Sequence, residues 1–113
     1  MSDKMRSLIE LYVDEIKKIY GTHVCQIILY GSYARGDFKE DSDVDIMILL
    51  DISESDLKVY SKQLSYMTYD FNMDYDVDIK PIAKCESHFK KWVKNYPFYA
   101  NVDKEGVILY GAA

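Results

Sequence analysis

Two aspartates, Asp43 and Asp45, are the residues of this chain whose type and spacing most directly suggest chemistry. They alternate with apolar residues at the start of the run DVDIMILL. On a β-strand, residues two apart share a face, so both carboxylates point the same way. Two carboxylates about 4 Å apart repel by roughly 4 kcal/mol at an effective dielectric constant near 20. A divalent cation relieves this repulsion, and such oxygen ligands favour Mg²⁺ or Mn²⁺, so the pair predicts a cation site.

A third carboxylate is available in the later segment YDVDIKPI, which also alternates polar and apolar residues. Asp76 and Asp78 lie on the same face of a strand over this segment, so the residues alone leave the choice between them open. A calcium loop of the EF-hand kind does not fit the run DSDVD. Its glycine position holds Ile46 and its closing glutamate position holds Ile52.

The pair Gly31-Ser32 follows a short apolar run and suggests a phosphate-binding turn. Gly31 has no Cβ, so backbone amides can approach a phosphate closely, and Ser32 adds a hydroxyl donor. We expect a short helix over residues 32–35, whose positive end favours anions, and Gly36 lets the chain turn away from it. If the flanking strands are neighbours, the turn and the aspartates face each other and form a site for nucleotide-phosphate chemistry.

The elements that position these residues follow from hydrophobic periodicity. Leu8, Leu11, Tyr12, Ile16 and Ile19 mark one face of a first helix. The later run IMILL is apolar throughout, which predicts a strand covered on both faces. The pattern predicts an α+β or α/β domain with a small mixed sheet flanked by helices, and one domain over residues 1–113. The expected elements are helix 3–20, strand 23–30, strand 44–50, a helix capped by Ser53 and Asp56, strand 75–82, helix 84–95 and a final extended segment, GVILYG.

Composition narrows the functional classes. The chain has 113 residues and a formal net charge of −5, with a pI of about 4.9, so direct binding to a nucleic-acid backbone is not expected. Two cysteines without a CxxC spacing make neither a disulfide scaffold nor a metal knuckle. The N-terminus is too acidic for a signal peptide, and no apolar run is long enough to span a membrane. We therefore expect a cytoplasmic protein.

The segment GSYARGDFKEDSDVDIMI resembles the signature of the DNA polymerase β-like nucleotidyltransferases. It is most similar to the minimal nucleotidyltransferases (MNT proteins), whose pattern is GSxARGxxxxxSDxDhhh, where h is apolar. The matching residues are Gly31, Ser32, Ala34, Arg35, Gly36, Ser42, Asp43 and Asp45.

The resemblance implies the nucleotidyltransferase fold and the transfer of a nucleoside monophosphate from a nucleoside triphosphate, such as ATP, to a hydroxyl. It implies that Gly31 and Ser32 hold the β- and γ-phosphates, that Arg35 is either a phosphate ligand or a brace between loop and helix, and that Ser42 also belongs to the nucleotide site.

The resemblance further implies two bound Mg²⁺ ions, for which Mn²⁺ could substitute, held by Asp43, Asp45 and a third aspartate that also activates the acceptor. It favours Asp78 over Asp76, because the sequence VDI leads directly into Pro81, which is expected to end the strand at or near that position.

Proteins of this kind are commonly paired with a HEPN-domain ribonuclease toxin, and the resemblance implies that the chain adenylylates a tyrosine of such a partner as its antitoxin. Two alternatives are open: a non-catalytic antitoxin that neutralises its partner by binding, and transfer to a small molecule. The segment 80–94 carries five lysines and one glutamate. It is either a solvated helix face or a docking surface.

Overall fold

A four-stranded mixed sheet lies at the centre of the computed structural model, which describes residues 1–111. Its strand order is β3-β2-β1-β4; β1 is antiparallel to both neighbours, and β2 is parallel to β3. This confirms the predicted small mixed sheet flanked by helices. The elements are α1 Asp3–Tyr20, a 3₁₀ turn Gly21–His23, β1 Val24–Tyr30, α2 Ser32–Arg35, β2 Val44–Leu50, α3 Glu54–Tyr75, β3 Ile79–Cys85, α4 Glu86–Trp92, α5 Pro97–Glu105 and β4 Val107–Tyr110.

Helices cover both faces of the sheet, as the apolar run of β2 predicts. Ile46 and Ile48 of β2 pack with α1 and α3 on one face, whereas Met47 and Leu49 pack with α4 and α5 on the other. These four side chains are at most 1% exposed. Burial on both faces holds the start of β2, and therefore the aspartates beside it, in one position.

Helix α1 begins with a cap from Ser2, whose hydroxyl accepts a hydrogen bond from the Met5 amide at 3.1 Å. Its buried stripe differs slightly from the predicted one. Leu11 was expected to face inward but is 45% exposed, and Ile9 and Val13 take part in the core instead. The helix is therefore rotated toward the Ile9 side of the predicted face.

Helix α3 is longer than the sequence pattern indicates. Ser53 caps it, accepting a hydrogen bond from the Asp56 amide at 3.2 Å, and it continues to Tyr75. Asp76 then ends it in the left-handed conformation, with φ 53°. The predicted strand 75–82 is wrong at both ends, since β3 runs from Ile79 to Cys85. Pro81 does not end it, because β3 is an edge strand and tolerates a missing donor.

The segment after β3 forms two helices where the sequence predicted one over residues 84–95. Helix α4 is shorter than expected, and a second helix, α5, begins at Pro97. The proline therefore starts a helix as its first residue instead of following the end of one. The final segment forms strand β4 beside β1, which confirms the extended prediction. No helix within residues 1–111 has the length and apolar character needed to cross a membrane.

Candidate active site

Gly31 joins β1 to α2 and lies against the Asp45 side chain. Its backbone has φ 75° and ψ −155°, a conformation that residues with a side chain rarely adopt. A methyl group built on Gly31 would overlap the Asp45 carboxylate and lie 3.3 Å from its Cγ. In the sheet, Tyr30 pairs with Asp45. The predicted phosphate turn and the predicted metal ligand are therefore direct neighbours, because β1 and β2 pair there.

Helix α2 is a single turn that begins at this glycine. The amides of Ala34 and Arg35 donate to the Gly31 carbonyl at 3.1 and 3.0 Å. Gly36 closes the turn with φ 86°, and its amide donates to the Ser32 carbonyl at 2.9 Å. The predicted short helix over residues 32–35 is confirmed.

Asp78, and not Asp76, lies beside Asp43. The carbonyl of Asp78 accepts a hydrogen bond from the Val44 amide at 2.9 Å, which joins the entry of β3 to the entry of β2. Its carboxyl is hydrogen-bonded to that of Asp43. Asp76 caps α3 and is exposed. The geometry therefore offers Asp78 as the third carboxylate.

Asp43 is the acceptor at the centre of this arrangement. It accepts a hydrogen bond from the Asp78 carboxyl and lies 3.1 Å from the Lys80 Nζ, and these two contacts hold its pKa below the usual value. The same hydrogen bond raises the pKa of Asp78. Burial, followed by the charge of Asp43, raises the pKa of Asp45. The Lys80 ammonium group thus offsets part of the negative charge of the cluster that was predicted to need a divalent cation.

The donor chemistry suits Mg²⁺, since three carboxylates meet at one mouth of the sheet. However, among residues 1–111 no group of three or more His, Cys, Asp or Glu side chains is arranged to hold a metal ion. The structure therefore does not show the preformed cation cluster that the sequence predicted. Cation binding at these oxygens requires ionised carboxylates and requires Lys80 to move from Asp43.

A cavity of about 420 Å³ opens over this region, within the size range of small-molecule sites. It is lined by every predicted site residue except Asp78. Asp78 contacts Asp43, which is itself a lining residue. Helix α5 supplies the opposite wall. The lining residues are Tyr30, Gly31, Ser32, Arg35, Ser42, Asp43, Asp45, Phe98, Asn101, Val102 and Glu105.

Arg35 and Ser42 make contacts within the loop and with α5. Arg35 pairs with Asp37 at 3.2 Å and with Glu105 at 3.4 Å, which are the contacts of a brace between loop and helix. Ser42 accepts a hydrogen bond from the Lys39 amide at 2.7 Å and so stabilises the loop that leads into β2. Their roles toward a nucleotide stay predictions.

Sequence reasoning did not identify the residues of α5 that line the cavity. The helix itself had a signal: Pro97 suits a first helical position, Tyr99 and Val102 recur on one face, and Gly106 follows the end. Nothing in the sequence indicates that this helix covers the glycine turn, because that depends on how the chain returns across the sheet.

The lysine-rich segment 80–94 does not form one uninterrupted basic surface. Lys80 pairs with Asp43, Lys90 lies 3.5 Å from a carboxylate oxygen of Glu86, and Lys91 lies over the Trp92 ring at 5.2 Å from its centre. These are ordinary contacts of partly solvated helices, and a docking role for the segment stays a prediction.

Comparison with known proteins places this geometry in a family. Residues 9–99 match the nucleotidyltransferase domain family. A proposed protein adenylyltransferase of Methanocaldococcus jannaschii is 37% identical over 103 residues, which cover 90% of this chain and 94% of that protein. The protein adenylyltransferase MntA of Thermococcus cleftensis is 39% identical over 46 residues, covering 41% of this chain and 44% of that protein.

Solved structures share the fold at lower identity. A proposed minimal nucleotidyltransferase superposes with a TM-score of 0.58 at 18% identity, covering 95% of both chains. A toxin–antitoxin crystal structure with AMP-PNP gives a TM-score of 0.57 at 18% identity, covering 91% of this chain and 73% of that one. The predicted resemblance and fold are confirmed, and the chain belongs to the nucleotidyltransferase domain family.

Proposed function

We propose that this chain transfers AMP from ATP to a tyrosine hydroxyl of a partner HEPN ribonuclease toxin and so acts as its antitoxin. The observation that carries the proposal is the single cavity that joins the Gly31-Ser32 turn to Asp43 and Asp45. The names of the similar proteins support adenylyl transfer to protein, and a toxin–antitoxin structure with AMP-PNP shares the fold.

Each residue has a role in this proposal. Gly31 and Ser32 hold the β- and γ-phosphates, and the absence of a side chain at position 31 lets this turn lie directly against the Asp45 carboxylate. Asp43, Asp45 and Asp78 hold two Mg²⁺ ions, for which Mn²⁺ can substitute. Bound there, the cations would supply neutralisation of the charge that develops on the attacking and leaving oxygens.

The reaction is a substitution at the α-phosphorus of ATP. The acceptor hydroxyl oxygen forms a bond to that phosphorus, the bond to the β-phosphate oxygen breaks, and pyrophosphate leaves. Asp78 accepts the hydroxyl proton as an ionised carboxylate, and the hydrogen bond to Asp43, which raises the pKa of Asp78, favours that acceptance. The Gly31 turn, through the β- and γ-phosphates, and Asp45, as a cation ligand, would fix the position of the α-phosphate.

A second candidate is a non-catalytic antitoxin that acts by binding. One observation favours it: Lys80 already pairs with Asp43 at 3.1 Å without a cation. In that case the carboxylate cluster would have a structural role, and substitutions within it would change stability but not the modification state of the partner.

We place the protein in the cytoplasm, bound to its protein partner and to neither nucleic acid nor membrane. Cys25 and Cys85 are free thiols, which suits a reducing compartment. The net charge of −5 disfavours contact with a nucleic-acid backbone.

The test is to co-purify the chain with the protein encoded beside it, add ATP and Mg²⁺, and measure the intact mass of both proteins. We expect the partner to gain the mass of AMP and expect Asp43→Asn to abolish the gain. Asp41→Asn is the matched control, because Asp41 is an exposed acid of the same loop that does not line the cavity.

Two results would decide against transfer. One is an unmodified partner that is inhibited equally by the wild type and by Asp43→Asn, which selects the binding-only antitoxin. The other is AMP gained by a small molecule and not by the partner, which selects the small-molecule alternative.

A further inference from the structure

Helix α5 presents one face to the cavity. Phe98, Asn101, Val102 and Glu105 line it, and residues three and four apart lie on the same side of a helix. This wall stands opposite the glycine turn, Asp45 of β2 and Asp43 just before that strand. A ligand whose phosphates lie at Gly31 therefore has its other end within reach of α5.

Two of these four side chains are already engaged. Val102 is 1% exposed and packs in the core beneath the sheet, and Glu105 pairs with Arg35. Phe98 is 43% exposed, although it is a large aromatic residue. The Asn101 amide is exposed and has no hydrogen-bond partner among residues 1–111. The face of α5 therefore offers the exposed part of the Phe98 ring and a free amide to the cavity.

The ring of Phe98 is held close to the phosphate turn. It packs edge-to-face on Tyr30, with centroids 5.6 Å apart and an angle of 75° between the rings. Tyr30 immediately precedes Gly31 and pairs with Asp45 across the sheet. This contact orients the aromatic wall relative to the residues that would bind phosphate and cation.

A free aromatic face beside a free amide is suited to a nucleobase. Bases stack on aromatic rings, and an asparagine amide carries a donor and an acceptor side by side. Adenine presents a matching pair in its N6 amino group and N7, whereas the same edge of guanine presents two acceptors. One turn of helix, about 4.5 Å, separates Phe98 from Asn101, so the two side chains can contact the same base.

We infer that Phe98 and Asn101 form the base subsite of the nucleotide, with Phe98 stacking on the base and Asn101 selecting adenine. The inference rests on the proposed function, since it assigns the base end of the same nucleotide. It makes α5 the element that determines which nucleoside triphosphate the chain uses.

The experiment measures by calorimetry the binding of ATP, GTP and inorganic tripolyphosphate, each with Mg²⁺. Phe98→Ala should weaken ATP binding roughly 5- to 100-fold and leave tripolyphosphate binding unchanged, because stacking concerns the base alone. Phe98→Tyr should restore ATP binding. Asn101→Leu should reduce the preference for ATP over GTP by a similar factor.

Asp103→Asn is the control for changes in α5, because Asp103 lies on the same helix but lines a different cavity with Cys25 and Phe89. It should leave every affinity as in the wild type. Thermal unfolding of each variant shows whether the helix is intact, and rescue by Phe98→Tyr separates a lost ring from a lost fold.

Each remaining outcome is decisive. If Phe98→Ala and Asn101→Leu leave the ATP affinity and the ATP preference unchanged, or lower ATP and tripolyphosphate equally, the base subsite is wrong and the proposed function stands. If the wild type binds tripolyphosphate but ATP no more tightly, the base subsite is also wrong. If the wild type binds neither ligand, the phosphate end fails and the proposed function fails with it.

Discussion

Replacing Gly31 with alanine tests the contact between the phosphate turn and the carboxylate site. The added methyl group meets two obstacles in the structure. The backbone at Gly31 has φ 75°, which is unfavourable for any residue with a Cβ. The methyl group would also overlap the Asp45 carboxylate, so that side chain must move.

The cost of Gly31→Ala follows from these obstacles. The backbone conformation costs about 1–3 kcal/mol for alanine, and displacement of a packed neighbour costs about 1–3 kcal/mol. Alanine has less conformational freedom than glycine in the unfolded chain, and this difference stabilises the variant by about 0.4–1 kcal/mol. We therefore expect a loss of about 3 kcal/mol in the free energy of unfolding, or about 12 °C in Tm for a small domain.

Gly36→Ala is the matched control. Gly36 also has positive φ, 86°, but nothing lies within 4 Å of a methyl group built there. The cost is then the left-handed backbone alone, about 1 kcal/mol after the gain in the unfolded state. Urea unfolding followed by circular dichroism measures both variants, and the difference of about 2 kcal/mol combines the Asp45 contact with the rarer backbone conformation of Gly31, whose ψ is −155°.

A double-mutant cycle isolates that contribution. In an Asp45→Ala background the carboxylate is absent, so Gly31→Ala should cost only its unfavourable backbone conformation. The coupling energy between positions 31 and 45 should then be about 1–2 kcal/mol. Equal costs for the two glycine substitutions in the wild-type background, or no coupling in the cycle, would refute the argument that Gly31 is required by the proximity of Asp45.

Three further results are expected. Lys80→Met should tighten Mn²⁺ binding several-fold in a titration followed by electron paramagnetic resonance, because Lys80 no longer occupies Asp43; weaker binding would mean that Lys80 supports the cation. Mn²⁺ affinity should rise with pH through the acidic range, because the hydrogen bond to Asp43 raises the pKa of Asp78 and the proton competes with the cation at low pH; a flat profile by calorimetry would contradict this. Asn72→Ala should lower the free energy of unfolding, measured in urea, by about 1–3 kcal/mol. The Asn72 side-chain amide accepts a hydrogen bond from the Ile79 N–H at 2.9 Å and donates one to the Ile79 carbonyl at 3.1 Å. An unchanged midpoint of unfolding would show that water replaces the Asn72 amide.

The parts of the site that are close in sequence could be predicted from the chain alone. Gly31 and Asp45 belong to two strands that follow each other and pair, so their proximity follows from the ordinary hairpin arrangement of sequential strands. The apolar run after Asp45 also predicted correctly that helices cover both faces of β2.

The third carboxylate shows where the pattern was insufficient. Alternation placed Asp76 and Asp78 on the same face of one strand, but α3 continues past the expected boundary and Asp76 ends it. Near the end of α3, Phe71 packs against Tyr12 of α1, a tertiary contact that local spacing does not reveal, and Tyr75 packs on Phe71 one turn later. Tertiary packing, and not propensity, therefore selects Asp78 for the mouth of the sheet.

The α5 wall was missed for a similar reason. The sequence pattern places Pro97 after the end of a helix and predicts structure beyond it only for the final extended segment, GVILYG, whereas α5 begins at Pro97. A proline is compatible with both a helix end and a helix start. Only the return of β4 to the edge of β1 determines that the intervening segment crosses over the glycine turn.

The two edges of the sheet differ in a way that bears on assembly. Edge strand β3 carries Pro81, which has no N–H to offer to a strand joining from outside, so growth of the sheet is interrupted on the side of Asp78. Edge strand β4 has no proline and exposes Val107, Ile108 and Tyr110. Three strand spacings, about 14 Å, separate the two edges. A partner that joined this chain by adding a strand would do so at β4 and leave the carboxylate mouth open to nucleotide.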